Sequence, residues 1–327
     1  MHVPDHLINN TTEVLAVASA AAVVATVAFR PARRAQKALL ERPERFGPQL
    51  ATAGLVFALQ MVNFPVAPGT SGHLFGGALA TALLGPRRAL LAVSSVVLAQ
   101  ALFFADGGVG AVGINLWLIA IVPVAVAALV SSTRAPWWAM AGVAAIVAPP
   151  LSALAFTAMY ATGATGGAGV GEVATSMLGV HLLIGIGEAG LTLAVLGAVR
   201  LVGERGGVFD ERPVWGAAVL SAAGLSLLAS SQPDGLERVA GDVGFAITGS
   251  GSVLDGSPLA DYAVSGVDGM LSGSLAGLIG IGLTCAVCAA LLALARVGRT
   301  GHVGPGEPEA GERNELGRTG GGAGSTL

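Results

Sequence analysis

The sequence predicts an all-α polytopic membrane protein, and three observations carry that expectation. The 327 residues are 53% hydrophobic and only 11% charged, where a soluble domain carries about 25% charge. Their mean hydropathy is +0.74. Apolar runs recur along the chain, most of them long enough to span a hydrocarbon core. They fall at about 13–29, 48–64, 74–85, 89–105, 115–131, 136–161, 173–199, 214–230 and 272–295. Gly, at 49 residues, suits helices that approach closely in lipid. The run 74–85 is short and punctuated by Gly76, Gly77 and Gly85. It reads as a half-helix after a re-entrant loop, which lipid tolerates only where protein buries it.

Nine crossings can be tested against charge. With the N-terminus outside and the C-terminus cytoplasmic, sixteen of the seventeen Lys and Arg residues fall inside, and only Arg238 falls outside. The inside set runs from Arg30, Arg33, Arg34, Lys37, Arg42 and Arg45 through Arg87, Arg88, Arg134, Arg200, Arg205 and Arg212 to Arg296, Arg299, Arg313 and Arg318. Dropping any one helix scrambles that partition, so the positive-inside rule predicts both count and orientation. The chain then divides into two modules: seven helices over 1–200, a cytoplasmic linker 201–213, a two-helix hairpin 214–299 with an outside loop 231–271, and a disordered tail 300–327 rich in Gly, Glu and Arg. No repeat of fixed period is present. Residues 1–12 contain no Lys or Arg, so a secretory signal is not expected.

The chain opens Met1-His2-Val3-Pro4-Asp5. An amine beside a histidine at position 2 is a potential chelator. The Met1 amine, the deprotonated His2 amide and His2 Nδ1 can close fused five- and six-membered rings on one ion. Nitrogen donors in a plane suit Ni(II), Cu(II) or low-spin Co(II) rather than Zn, Ca or Mg. The competing reading is a frayed terminus. The loop Asn63 to His73, containing Thr70 and Ser71, is Pro- and Gly-rich backbone at membrane depth. Such backbone is costly there unless it lines a site. His73 offers a fourth nitrogen; alternatively it caps a helix or bonds a carbonyl. The loop Asp106 to Asn115 repeats the glycine texture. Asp106 can orient a ligating imidazole or cap a turn, and Asn115 is a further pocket candidate. His181 and Glu188 share one face of the seventh helix. An interhelical hydrogen-bond network is expected of them rather than direct ligation. His6 is near enough to compete for metal, but Pro4 and Asp5 separate it from the chelate. Cys285 and Cys288 form a CxxC among Ala, Leu and Val, which reads as small-residue packing.

Other classes are disfavoured. There is no GxxxxGK[ST], HExxH or GxSxG, and so no motif for ATP binding through a P-loop, for a zinc peptidase or for a serine hydrolase. No basic patch suggests nucleic acid. An intramembrane enzyme using His181, Glu188 or Asp106 lacks a recognisable nucleophile–base pair. A secondary metal carrier acting alone is the other alternative.

Taken together, these residues resemble the cobalt/nickel substrate-binding (S) components of energy-coupling factor (ECF) transporters, the CbiM/NikM family. The carrying pieces are Met1 to Asp5, the Asn63 to His73 loop with its Gly-Thr-Ser-Gly-His end, Ala105-Asp106-Gly107-Gly108, and His181 through Ala189. They span residues 1 to about 200 in the family's order. Ala229 to Glu237 is similar to the PDGLE segment of CbiN/NikN-type accessory proteins, and Pro258 to Tyr262 also fits. The chain thus resembles a fusion of the two. The resemblance implies that the metal is held by the Met1 amine, the His2 amide and imidazole, and His73. It implies Ni(II) or Co(II) as transported ligand, no prosthetic group, and a cell-membrane location. It implies partners on other chains, an ECF transmembrane coupling subunit and cytoplasmic ATPase subunits. The departure is His6, where the family commonly has Gly, and it bears on the path of the N-terminal loop.

Overall fold

The structure is a computed structural model, and it describes residues 1–29, 46–203, 210–246, 254–267 and 269–300. The basic stretch Arg30 to Arg45, linker residues 204–209 with Arg205, loop residues 247–253 and 268, and the tail from 301 with Arg313 and Arg318 lie outside the described residues. The chain runs through α1 (Asn10–Phe29), α2 (Gly47–Gln60), β1 (Phe64–Ala67), β2 (Thr70–Gly72), α3 (Gly77–Leu84), α4 (Pro86–Phe103), α5 (Val112–Val130), α6 (Trp137–Gly163), α7 (Val170–Gly203), α8 (Arg212–Ala223), α9 (Gly235–Val243) and α10 (Met270–Thr300).

The protein is therefore mostly helical. Among the described residues, α1, α4, α5, α6, α7 and α10 are long and apolar enough to cross a membrane. The apolar runs at 48–64, 74–85 and 214–230 yield shorter helices, of 14, 8 and 12 residues. At 1.5 Å per residue, α3 rises only about 12 Å.

Small residues set the helix spacing, as expected in lipid. A Cβ on Gly185 of α7 would strike the Ile146 carbonyl of α6, and one on Gly280 of α10 would strike the Phe57 ring of α2. The last helix thus shares a core with the first module. α5 widens into a π-turn at Leu116–Ile121. The Ser152 hydroxyl of α6 donates to the Leu118 carbonyl there at 2.7 Å. Cys288 is buried, and the Cys285 thiol faces the Leu50 carbonyl at 3.5 Å, so the CxxC sits in helix packing.

Two loops hold more structure than periodicity suggests. The Asn63 to His73 loop folds as an antiparallel hairpin, with Phe64 opposite Gly72, Pro65 opposite Ser71 and Ala67 opposite Thr70. Gly69 (φ 72°) makes its turn. The long loop after α8 contains α9, started by a capping box. Asp234 accepts from the Leu236 and Glu237 amides, and Glu237 accepts from the Asp234 amide. That pattern satisfies helix-end amides locally.

Candidate metal centre

The N-terminal segment is threaded into the protein. Met1, Val3, Leu7 and Ile8 are buried. Asn115 clamps Val3 from both sides, accepting from its amide at 2.7 Å and donating to its carbonyl at 3.1 Å. The Gly108 amide also donates to the Val3 carbonyl, at 2.9 Å. Asp5 accepts from the Gly110 and Ala111 amides at 2.7 and 3.3 Å. Asn115 thus acts on the plug's backbone. His6, at φ 67°, stands in the left-handed region, the conformation glycine adopts most easily. Its side chain is exposed. The plug therefore keeps a glycine-like path with a histidine in it.

That threading brings the Met1 amine, His2 and His73 together. His73 Nδ1 donates to the Leu74 carbonyl at 3.0 Å. A carbonyl only accepts, so Nε2 is the ring nitrogen without hydrogen, and the Met1 amine donates to it. The His2 and His73 rings stack, with centroids 5.0 Å apart and planes 23° apart.

A hydrogen-bond relay sets the face of His2. Tyr262 hydroxyl donates to Asp106 Oδ2 at 2.5 Å and accepts from the Gln100 amide nitrogen at 2.9 Å. Gln100 therefore turns its oxygen to His2 Nε2, at 3.2 Å. With its hydrogen on Nε2, His2 leaves Nδ1 to accept, and Asp106 Oδ1, 3.1 Å away, bonds it when that carboxyl carries a proton. Nδ1 is the nitrogen that a six-membered chelate ring with the His2 amide requires. Asp106 thus stands against the His2 ring.

Electrostatics favour neutral imidazoles. Burial, then the positive Met1 amine, pushes both His2 and His73 down to about 3. Burial raises the Asp106 carboxyl, against the Tyr262 hydrogen bond. Burial also acts to raise Asp234, yet the Met1 amine and His73 outweigh it and hold this carboxyl well below the usual range.

Asp234 is the residue that sequence reasoning missed. Its Oδ2 lies 3.0 Å from the Met1 amine and 3.9 Å from His73 Nε2. The PDGLE segment is legible as a resemblance, but nothing local ties it to a site some 230 residues earlier. A usable signal was its capping box, which fixes a carboxylate at a helix start in an otherwise polar loop. Gly235 allows the close seat on α7, since a Cβ there would come within 2.8 Å of Val180 and Ile184 and 3.3 Å of His181.

The remaining candidates hold the scaffold. Glu188 accepts from the Phe75 and Gly76 amides, both at 3.1 Å, and so anchors the segment just after His73. His181 donates from Nδ1 to Met177 in its own helix at 2.8 Å. Among the described residues it makes no interhelical hydrogen bond, and Nε2 is buried without a partner there. Ser71 donates to the Gln232 carbonyl at 2.7 Å, its amide donates to the Pro233 carbonyl at 2.9 Å, and the Asn63 carbonyl accepts from Ser230 at 2.8 Å. These two residues dock the hairpin on the PDGLE segment. Thr70 is buried in β2. Among the described residues no group of three or more His, Cys, Asp or Glu side chains could hold a metal; the nitrogens gathered here include the Met1 amine. A cavity of about 700 Å³ opens beside them, lined in part by His2, His73, Asp106, Asp234 and Tyr262.

A multi-pass helical bundle with buried nitrogen donors at a cavity defines a membrane component for handling a small ligand. The chain belongs to the family described as the cobalt uptake substrate-specific transmembrane region, whose family model matches residues 2–205, and a PDGLE domain matches 213–297. It is 32% identical over 250 residues to a protein of Archaeoglobus fulgidus assigned as a fused nickel transport protein NikMN, covering 72% of this chain and 82% of that one. It is 44% identical over 78 residues to the fused nickel transport protein NikMN of Rhodobacter capsulatus, covering 24% of this chain and 22% of that one. A crystal structure of a transition metal transporter superposes with TM-score 0.53 at 25% identity, over 63% of this chain and 95% of that one. The likenesses to named transport proteins make this chain a transport component rather than an enzyme.

Proposed function

We propose that this protein is the metal-binding membrane component of an ATP-driven ECF transporter that takes up Ni(II) or Co(II). The observation that carries the reading is the convergence of the Met1 amine, bare His2 Nδ1 and bare His73 Nε2. With the His2 amide they supply four nitrogens, the donor set of a square-planar or tetragonal ion. The reading requires a free Met1 amine. Asp106 orients His2, while Asn115, Asn63, Ser71 and Glu188 hold the surrounding segments. The chain crosses the membrane nine times, with the N-terminus outside and the C-terminus in the cytoplasm. Residues 1–200 form the metal-binding module, 201–213 a cytoplasmic linker, 214–299 the PDGLE module with outside loop 231–271, and 300–327 a cytoplasmic tail.

The chain has no P-loop motif. ATP hydrolysis is therefore assigned to separate cytoplasmic subunits, reached through a transmembrane coupling subunit. The test is Ni(II) and Co(II) uptake into vesicles holding this chain with or without those partners. ATP-dependent uptake only in the full complex is expected. Uptake by the chain alone would establish a stand-alone carrier instead.

A further inference from the structure

The backbone just after His73 is held by every polar group of two successive peptide units. The Leu74 carbonyl accepts from His73 Nδ1 at 3.0 Å, and the Phe75 amide of the same unit donates to Glu188 Oε2 at 3.1 Å. In the next unit the Gly76 amide donates to Glu188 Oε1 at 3.1 Å, and the Phe75 carbonyl accepts from Gln60 Nε2 at 2.8 Å. A peptide unit is planar, so its carbonyl and amide turn together. Glu188 of α7 holds both units by their amides, and Gln60 of α2 holds the second by its carbonyl. Neither unit can rotate without breaking one of these bonds, and the Leu74 carbonyl in turn sets where His73 Nε2 points.

Among the described residues the Gln60 side chain makes only this hydrogen bond. A carbonyl only accepts, so Nε2 is the atom that faces Phe75, and Oε1 is left buried without a partner there. Gln60 is 4% exposed. A half-satisfied amide is costlier to bury than an apolar side chain of the same shape, so the packing of α2 alone does not account for a glutamine here. The seat is tight as well. Gly76 (φ 82°) lies against Val56, one turn before Gln60, where a Cβ would come within 2.6 Å. The Phe75 ring stacks on His73, with centroids 5.7 Å apart and planes 22° apart. A shift of Phe75 is therefore passed to the His73 ring.

We propose that Gln60 is a positioning residue for metal binding: through the Phe75 carbonyl it keeps His73 Nε2 aimed at the Met1 amine and His2. It touches no metal itself and acts on the backbone that carries the ring. A donor held in one direction matches the geometry of its ion, and a loosened donor loses affinity and ligand-field strength together. This inference rests on the nitrogen-site reading proposed above.

The test is Gln60→Met in the full chain with a free Met1 amine, beside Gln49→Met as control. Met nearly keeps the shape of Gln, adapts to its surroundings and removes the donor. Gln49 lies on the same helix, is 1% exposed and has no side-chain partner among the described residues. Ni(II) affinity is read by competition with a chelator, and the visible d–d absorption of the loaded protein reports the ligand field. Gln60→Met is expected to bind about tenfold more weakly, with its d–d band moved to lower energy, while Gln49→Met matches the native protein in both. Native affinity in Gln60→Met overturns the positioning role. So does weaker binding with a native band, because damage to the scaffold alone lowers affinity without changing the field at the bound ion. Equal changes in Gln49→Met would make the effect one of α2 packing and overturn it too. Should Gln60→Met not fold, Gln60→Asn decides: its amide is withdrawn by about 1.5 Å, and it must show both changes. His73→Ala separates the two ideas. If that change leaves binding intact, the nitrogen site itself is wrong. If it weakens binding while Gln60→Met keeps native affinity and band, only the present inference fails.

Discussion

Placing one glycine before Met1 tests the terminal amine most directly. Met1 is buried, and its nitrogen is 3.0 Å from Asp234 Oδ2 and hydrogen-bonded to His73 Nε2. One added residue carries the amine along the chain by about 3.5 Å, a displacement larger than either contact tolerates. A peptide nitrogen without a free lone pair is left in its place. The five-membered chelate ring is lost, and Asp234 loses its cationic partner. Changing a group that merely supports a metal ligand typically weakens binding by about 10–100-fold. Removing the donor should exceed about 100-fold, or about 2.7 kcal/mol. His73→Ala removes one donor and leaves three, so the extension should weaken binding at least as much as that change. The assay is Ni(II) and Co(II) competition with a chromophoric chelator, on protein whose terminus is verified by mass spectrometry. Equal affinity for authentic and extended chains would refute the amine–His2 chelate.

The same geometry sets other expectations. With His2 and His73 held neutral, neither imidazole should release a proton when Ni(II) binds at pH 6; imidazoles titrating at an ordinary 6.5 would release about 1.5 between them, which a pH-stat titration distinguishes. Affinity should fall with acidity as protons reclaim the ligating nitrogens, and a flat profile from mildly acidic to neutral pH would contradict the donor set. Because the unfolded imidazoles titrate near 6.5 and the folded ones near 3, the metal-free protein should also lose thermal stability as pH drops below about 6.5. Glu188→Ala strands the Phe75 and Gly76 amides at about 1–3 kcal/mol each; a lower Tm and weaker Ni(II) binding are expected, with Glu188→Gln intermediate, and unchanged melting would remove Glu188 from the support of His73. His6→Gly relieves a left-handed residue worth about 1–2 kcal/mol and returns part of that as chain entropy, so a small rise in Tm with unaltered nickel-to-cobalt preference is expected. A changed preference would give the exposed His6 ring a direct part in binding.

Features set by neighbours along the chain are legible without a structure. Hydropathy marks the apolar runs that the structure shows as helix, because burial in lipid is a property of composition over one segment. The Met1-His2 pair is legible because fused-ring chelation needs adjacent residues and no folding at all. The glycines and prolines before His73 announce irregular backbone for the same local reason, although pairing into a hairpin is not visible in them. Contacts across the fold have a different origin. Whether His73 meets Met1 depends on how the N-terminal plug is clamped by Asn115 and Asp5. His181 and Glu188 share a helix face, yet Glu188 reaches the loop after His73 while His181 bonds within its own helix. Asp234 and Tyr262 come to the site from the other module, and no periodicity relates residues so far apart. Helices can be read locally because their hydrogen bonds close within four residues. A nitrogen of residue 1 and a carboxylate of residue 234 have no such local rule, and their meeting is set by packing alone.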